Sequence, residues 1–208
     1  MGMQNAINHD LKQEATMTHL ASLSRAAALA CAAAFCAPAQ AQPVYSGWLC
    51  CTMRVSGDWI SDINYTGNGT RLIQAGTPVQ ITGHGRYRVH ITIKGEPYRL
   101  GNDYSRDLDD AQFTERYIVR TDPAKALARW PQKVQEAIRT ARVRVGMTRE
   151  QVIMALGYPV SSENPALDTD AWRYWLGSFE EYQVHFNAAG KVREVSGAPG
   201  TLARVLMR

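Results

Sequence analysis

The sequence is poorer in chemistry than in structure. No stretch is long and apolar enough to cross a bilayer as a helix. There is no G-x-S-x-G elbow, no H-E-x-x-H pair and no phosphate-binding glycine loop. Cysteine is scarce, with 4 in 208 residues. Cys31 and Cys36 fall in an apparent leader, which leaves the adjacent pair Cys50-Cys51. A zinc site needs further ligands at fixed spacing, and none stand near that pair. A Cys/His hydrolase needs its thiol at a helix N-terminus beside a histidine, whereas Cys50 and Cys51 sit in a strand-like segment. His84 lies between glycines in an expected turn, and His90 and His185 occupy the polar faces of expected strands. All three read as solvated residues. The acidic pairs Asp109-Asp110 and Glu180-Glu181 are neighbours in sequence, so their side chains need not converge. The expectation is no catalytic residue, no metal and no cofactor.

What is present begins with ordinary globular composition, 45% hydrophobic and 20% charged, with a net charge of +4. That mild basic excess permits a preference for anionic partners and does not imply nucleic acid. Met17 to Arg25 ends in a cation, Ala26 to Ala37 is uncharged and apolar, and Pro38-Ala39-Gln40-Ala41 follows. A cation, an apolar run and an A-x-A site describe a secretory signal, with cleavage after Ala41 and the small residues Ala39 and Ala41 in the peptidase pockets. Translation from Met17 accounts for the polar residues 1–16. Lipidation at Cys31 is not expected, because Leu29 stands two positions before it instead of three. The chain is thus expected in the periplasm, with membrane association peripheral at most. For Cys50-Cys51, two strand residues facing opposite sides is the favoured reading. A vicinal disulfide or an intermolecular bridge is the alternative in an oxidising compartment.

Residues 42–121 read as β. Trp48 to Val55 is rich in strand formers. Gly67-Asn-Gly69 and Gly83-His-Gly85 read as turns, and Val79 to Thr82 as a strand between them. Tyr87, Val89, Ile91 and Ile93 alternate strictly with Arg88, His90, Thr92 and Lys94, the pattern of a half-buried strand. Short strands at regular spacing predict a small barrel or roll. Leu72-Ile-Gln-Ala-Gly-Thr-Pro-Val79 resembles bacterial SH3-like modules, which implies binding of peptides or cell-wall fragments, or a spacer. Ala111 to Tyr117 is expected as a short helix capped by Asp109 or Asp110.

Residues 122–197 read as α+β. Val134, Ile138 and Ala141 form one apolar stripe behind Pro131. In Val145-Gly-Met-Thr-Arg-Glu-Gln-Val-Ile-Met-Ala-Leu-Gly-Tyr-Pro159, Thr148 and Gln151 fit a capping box. Gly157 fits a left-handed C-cap and Pro159 a helix stop. Ala171 to Leu176, Glu181 to Phe186 and Lys191 to Val195 are expected strands, the last two joined at Asn187-Ala-Ala-Gly190. Two helices followed by a three-stranded meander make an α+β layer; residues 198–208 read as a tail. This pattern, carried by Gly146, Met147, Thr148, Val152, Leu156, Gly157, Pro159, Trp172, Tyr174, Val184, Phe186, Gly190 and Val192, resembles the SmpA/OmlA (BamE-like) family over residues 130–196. Those positions are caps, core and turns, so they mark a fold more than a function. The resemblance implies a protein-interaction module near the outer membrane, with outer-membrane assembly components as partners.

The fold class expected overall is α+β, with a small all-β SH3-like module before a two-helix, three-stranded BamE-like domain. The basic run Lys125–Arg149 offers Lys133, Arg139, Arg142 and Arg144 as contacts for acidic partner surfaces. Tyr174 and the pair Trp172/Trp175 are placed on opposite strand faces or beside a bulge, with at least one exposed as an anchor. Peptidoglycan and a secreted-inhibitor role stand as alternatives for the partner and function.

Overall fold

The computed structural model describes residues 46–208. The readings at Met17, Cys31, Cys36, Ala39 and Ala41 lie outside the described residues. Seven strands come first: β1 (Ser46–Leu49), β2 (Met53–Ser56), β3 (Trp59–Ser61), β4 (Arg71–Ile73), β5 (Pro78–Gly85), β6 (Arg88–Ile93) and β7 (Glu96–Gly101). Helix α1 (Asp110–Tyr117) and the short β8 (Ile118–Val119) follow. The eight strands form one sheet in the order β4-β2-β3-β7-β6-β5-β1-β8. All pairs are antiparallel except β3 with β7.

The alternation along β6 does what its sequence demands: Val89, Ile91 and Ile93 are buried. They join Met53, Val55, Ile60, Val79 and Leu100 in one cluster. Phe113 and Tyr117 of α1 close that cluster, their ring centroids 4.9 Å apart. The helix starts at Asp109, whose side chain accepts from the Gln112 N–H in a full capping box, a device worth about 1 kcal/mol. Lys94 and Gly95 both take positive φ, 53° and 85°, as the tight two-residue link between β6 and β7 requires.

Two expectations need correction in this half, and a third is not confirmed. Gly83-His84-Gly85 is not a turn; β5 runs through it to Gly85, with a register irregularity between Ile81 and Gly83. The chain reverses at Arg86-Tyr87 instead, and Tyr87 leaves the strand face with φ 57°. Cys50 and Cys51 are not strand residues on opposite faces. They occupy a bend between β1 and β2 and are joined as a vicinal disulfide. The bend follows from where the backbone donors go: Cys50 N–H donates to Tyr117 O and Thr52 N–H to Met154 O, each 2.9 Å, outside any strand ladder. Finally, eight strands in one sheet with a parallel pair do not confirm the SH3-like reading.

The remaining elements are a single turn α2 (Ala124–Leu127), α3 (Gln132–Arg139), α4 (Arg149–Leu156), β9 (Ala171–Trp175), β10 (Glu181–Phe186), β11 (Val192–Gly197) and α5 (Pro199–Val205). The three strands form an antiparallel meander in the order β11-β10-β9. Val134, Ala137 and Ile138 of α3 and Val152, Met154, Ala155 and Leu156 of α4 cluster with Trp172, Tyr174, Tyr182, Val184 and Phe186 of the sheet. The expected capping box at Thr148 and Gln151 is formed. Pro131 is the N-cap of α3, one place before the first turn. Gly157 has φ 83° and ψ 175°, a positive-φ cap with extended ψ instead of the left-handed helical value, still open only to glycine without strain. Residues 198–208 are not a loose tail. Pro199 opens α5, Val205 is buried, and Val143 exchanges backbone hydrogen bonds with Val205 and Met207, both 2.8 Å.

One buried side chain stitches the two clusters together. Asn64 donates through Nδ2 to Leu156 O (2.8 Å) and Thr52 O (3.1 Å), and its Oδ1 accepts from the Arg54 N–H (2.6 Å). It satisfies the C-terminal carbonyl of α4 and the first carbonyl before β2 at once, which is why a polar residue is kept inside.

Candidate partner-binding surface

The structure separates the residues that the sequence grouped. In β9, Trp172 and Tyr174 are two apart and therefore share the inner face. Trp172 is fully buried, edge-on to Phe186 at 4.6 Å, and Tyr174 is stacked on Tyr182 at 5.6 Å. The Tyr174 hydroxyl donates to Gly157 O (3.1 Å), and burial holds its pKa well above the ordinary tyrosine value. Neither residue can anchor a partner. Trp172 and Trp175, placed together from sequence, are three apart and face opposite ways, because a strand alternates with period two.

Trp175 is the member left on the outer face. Its indole N–H donates to Glu163 Oε2 (2.7 Å), beside the ion pair Arg173–Glu181 (3.3 Å). Lys133, Arg139 and Arg142 are exposed in the helical layer, which covers the opposite face of this sheet, and Arg144 is half-buried. Arg139 donates to Gln135 Oε1 (2.9 Å), and Arg144 Nε is buried without a hydrogen-bond partner. Among the described residues none of these four cations makes an ion pair. Cations and indole therefore form two surfaces.

The outer surface contains a residue that sequence reasoning missed. Phe179 is 97% exposed at the tip of the β9–β10 hairpin. The tip is ordered: Leu176 N–H donates to Glu180 O (2.9 Å), Glu180 N–H to Gly177 O (3.0 Å), and Glu180 pairs with Arg204 of α5. An aromatic ring held in water on a braced turn sacrifices burial worth roughly 2 kcal/mol with no structural return. The signal was readable: in Gly177-Ser-Phe-Glu180 the ring lies between two strands and has no strand face to occupy. Thr66 N–H donates to Leu176 O (2.9 Å), which brings Tyr65 beside the hairpin. Tyr65 packs on Tyr104 at 5.9 Å, and its pKa is pushed up to about 12, chiefly by burial and then by Tyr104. Trp175, Phe179, Tyr65 and the half-exposed Tyr104 thus lie along one side, where the hairpin meets the large sheet.

Several groups capable of covalent or acid–base chemistry are committed elsewhere. Cys50 and Cys51 are bonded to each other and buried. His84 Nε2 lies 3.2 Å from Thr114 Oγ1, and His185 Nε2 lies 2.8 Å from Ser196 Oγ. The buried carboxylate of Asp62 accepts from the successive N–H groups of Asp103, Tyr104 and Ser105 (2.8–3.2 Å). Burial raises its pKa although those bonds act to lower it. Among the described residues, no three His, Cys, Asp or Glu side chains gather to hold a metal. No described helix is long and apolar enough to cross a membrane.

A three-stranded meander under two helices, the second closed by a capping box, with an exposed aromatic at one hairpin tip, defines a small α+β domain. Residues 134–196 match the family described as Outer membrane protein assembly factor BamE domain, so the C-terminal half carries a domain of that family. No curated protein and no solved structure gives a significant match to the chain.

Proposed function

We propose that this chain is a non-catalytic interaction protein of the periplasm, associated peripherally with the outer membrane, and an accessory in outer-membrane protein assembly. The observation that carries the reading is the BamE-family match over residues 134–196. The structure supplies a surface suited to it. Phe179 is a fully exposed aromatic on a hydrogen-bonded turn, the kind of side chain that dominates the energy of an interface when it enters a partner's pocket. Trp175 stands on the strand that leads into that turn. Lys133, Arg139 and Arg142 form a separate basic face, placed to steer an acidic envelope protein into contact.

The test is in-cell crosslinking from a photoreactive residue at position 179, with position 133 as a second site, followed by mass spectrometry of the captured proteins. Capture of β-barrel assembly components from position 179 supports the proposal. Capture of wall enzymes alone, or of nothing at either position, overturns it. Phe179→Ser should leave stability within about 0.5 kcal/mol of the parent, because the ring touches little. It should reduce capture by tenfold or more, on the basis of a hot-spot loss of about 2 kcal/mol.

A further inference from the structure

The outer face of the eight-stranded sheet holds a partly desolvated cation that the assembly reading does not use. Arg54 stands on β2 between the buried Met53 and Val55, so its side chain points away from their core. It is half-buried. Burial lowers its pKa from the ordinary arginine value, and the charge of Arg204 acts in the same direction. The guanidinium donates from Nη1 to Asn64 O (3.2 Å). Among the described residues no carboxylate lies within ion-pair distance of it, and Glu180 is taken by Arg204. A charge drawn out of water is ordinarily met by an opposite charge, and the described residues supply none here.

Arg54 lines a cleft of roughly 270 Å³ together with Ser56, Ser61, Thr66, Asn68 and Thr70. Strands β2 and β3 form its floor, and the loop from Tyr65 to Thr70 forms its wall. Of the residues around it, Arg54 alone carries a charge. The hydroxyl protons of Ser61 and Thr70 are committed to Asp103 Oδ2 (2.6 Å) and Gly67 O (2.8 Å). Ser56, Thr66 and Asn68 add two hydroxyls and an amide as donors, one from the floor and two from the wall. Asp103, the carboxylate next to Ser61, is bonded to Ser61 and to the Trp59 indole and does not line this cleft.

We propose that this cleft binds a phosphate-type oxyanion, free or as the end group of a soluble ester, an inference independent of the assembly role. The arginine fork matches two oxygens of a tetrahedral anion. Ser56 on the floor and Thr66 and Asn68 on the wall address the remaining oxygens from other directions. A planar carboxylate satisfies the fork and leaves the wall donors unmet. The guanidinium is already tied to Asn64 O, which lowers the ordering cost of binding. Its partial removal from water strengthens the attraction. At roughly 270 Å³ the cleft is smaller than the pocket of a drug-sized ligand, which suits a small anion.

The experiment titrates the full chain with sodium phosphate, glycerol 3-phosphate and sodium acetate at constant ionic strength. The Arg54 Nε–H resonance, identified by its absence in Arg54→Met, and the Asn68 side-chain amide report the site directly. Both should shift with phosphate, with saturation near or below about 1 mM, and acetate should bind at least about tenfold more weakly. Tighter binding of glycerol 3-phosphate than of phosphate assigns the ester as the ligand, and the reverse assigns the free anion. Arg54→Met should abolish the Asn68 shift with the circular dichroism unchanged. Arg54→Lys keeps the charge without the fork and should weaken phosphate binding about tenfold, a readout that does not depend on the methionine variant. Resonances that do not move with phosphate, an Asn68 shift that survives in Arg54→Met, undiminished binding by Arg54→Lys, or equal binding of acetate and phosphate would each overturn the assignment. Because no assembly component enters this assay, its failure leaves the crosslinking result untouched, and the reverse also holds.

Discussion

Replacing Asn64 tests the joint on which the described structure depends. In Asn64→Ala, the carbonyls of Leu156 and Thr52 and the N–H of Arg54 lose their partner together. The side chain is 5% exposed, so water does not easily take its place. Each buried group left unsatisfied costs about 1–3 kcal/mol. Asn64 also has φ 58°, where alanine is strained by about 1 kcal/mol more than asparagine. A total near 3–5 kcal/mol follows if partial relaxation recovers some of the hydrogen-bond loss. That is a large share of the stability of an ordinary domain. The companion variant Asn64→Gly loses the same bonds but not the backbone fit, so it should be more stable than the alanine variant by about 1 kcal/mol. Urea unfolding followed by tryptophan fluorescence and by far-ultraviolet circular dichroism reads both quantities. A loss below about 1 kcal/mol for alanine, or a glycine variant no better than alanine, would refute the account of Asn64 as the shared cap of α4 and β2.

Two further outcomes follow from buried geometry. Asp62→Asn presents an amide to three backbone N–H donors and should cost about 1–3 kcal/mol at low pH. Because burial raises the folded pKa of Asp62 above its ordinary 3.8, its contribution is complete below that value and is lost as pH rises through the folded pKa. The gap between parent and variant should therefore narrow as urea midpoints are measured upward from about pH 3; a constant or widening gap contradicts this. In Gly101→Ala the new Cβ would fall 2.3 Å from Trp59 Cζ2, which should drive the ring off the sheet and break the bond its indole N–H donates to Asp103 Oδ2 (3.0 Å), visible as a shifted indole resonance and a loss of about 1–2 kcal/mol. An unmoved resonance would show that the ring is not seated as described.

Much of the C-terminal half was legible because its signals are local. A capping box at Thr148 and Gln151, a glycine at 157 and a strict alternation from Tyr182 to Phe186 each act over a few residues, and each appears where the sequence placed it. The core stripe Val134, Ile138 and Ala141 was equally clear, and all three are buried. The errors came where a distant element decides. Gly83-His84-Gly85 looks like a turn, but its pairing with Arg88 to His90 extends β5 through it. The last residues look like a tail until Val143 offers them a partner. Cys50-Cys51 looks like strand until Tyr117 and Met154 take the flanking amides.

The candidate site divides in the same way. Composition and motif pointed to an α+β chain with a BamE-like C-terminal half, since those properties reside in residue types and short spacings. Which aromatics face water could not be settled so. Trp172, Tyr174 and Trp175 carry nearly the same apolar weight in sequence. Only the docking of α3 and α4 on one face of the meander buries the first two and leaves Trp175 and Phe179 outside. The seat of Trp59 on the large sheet is likewise a product of tertiary structure: Trp59 and Asp103 are 44 residues apart, and only the parallel pairing of β3 with β7 brings them to one surface.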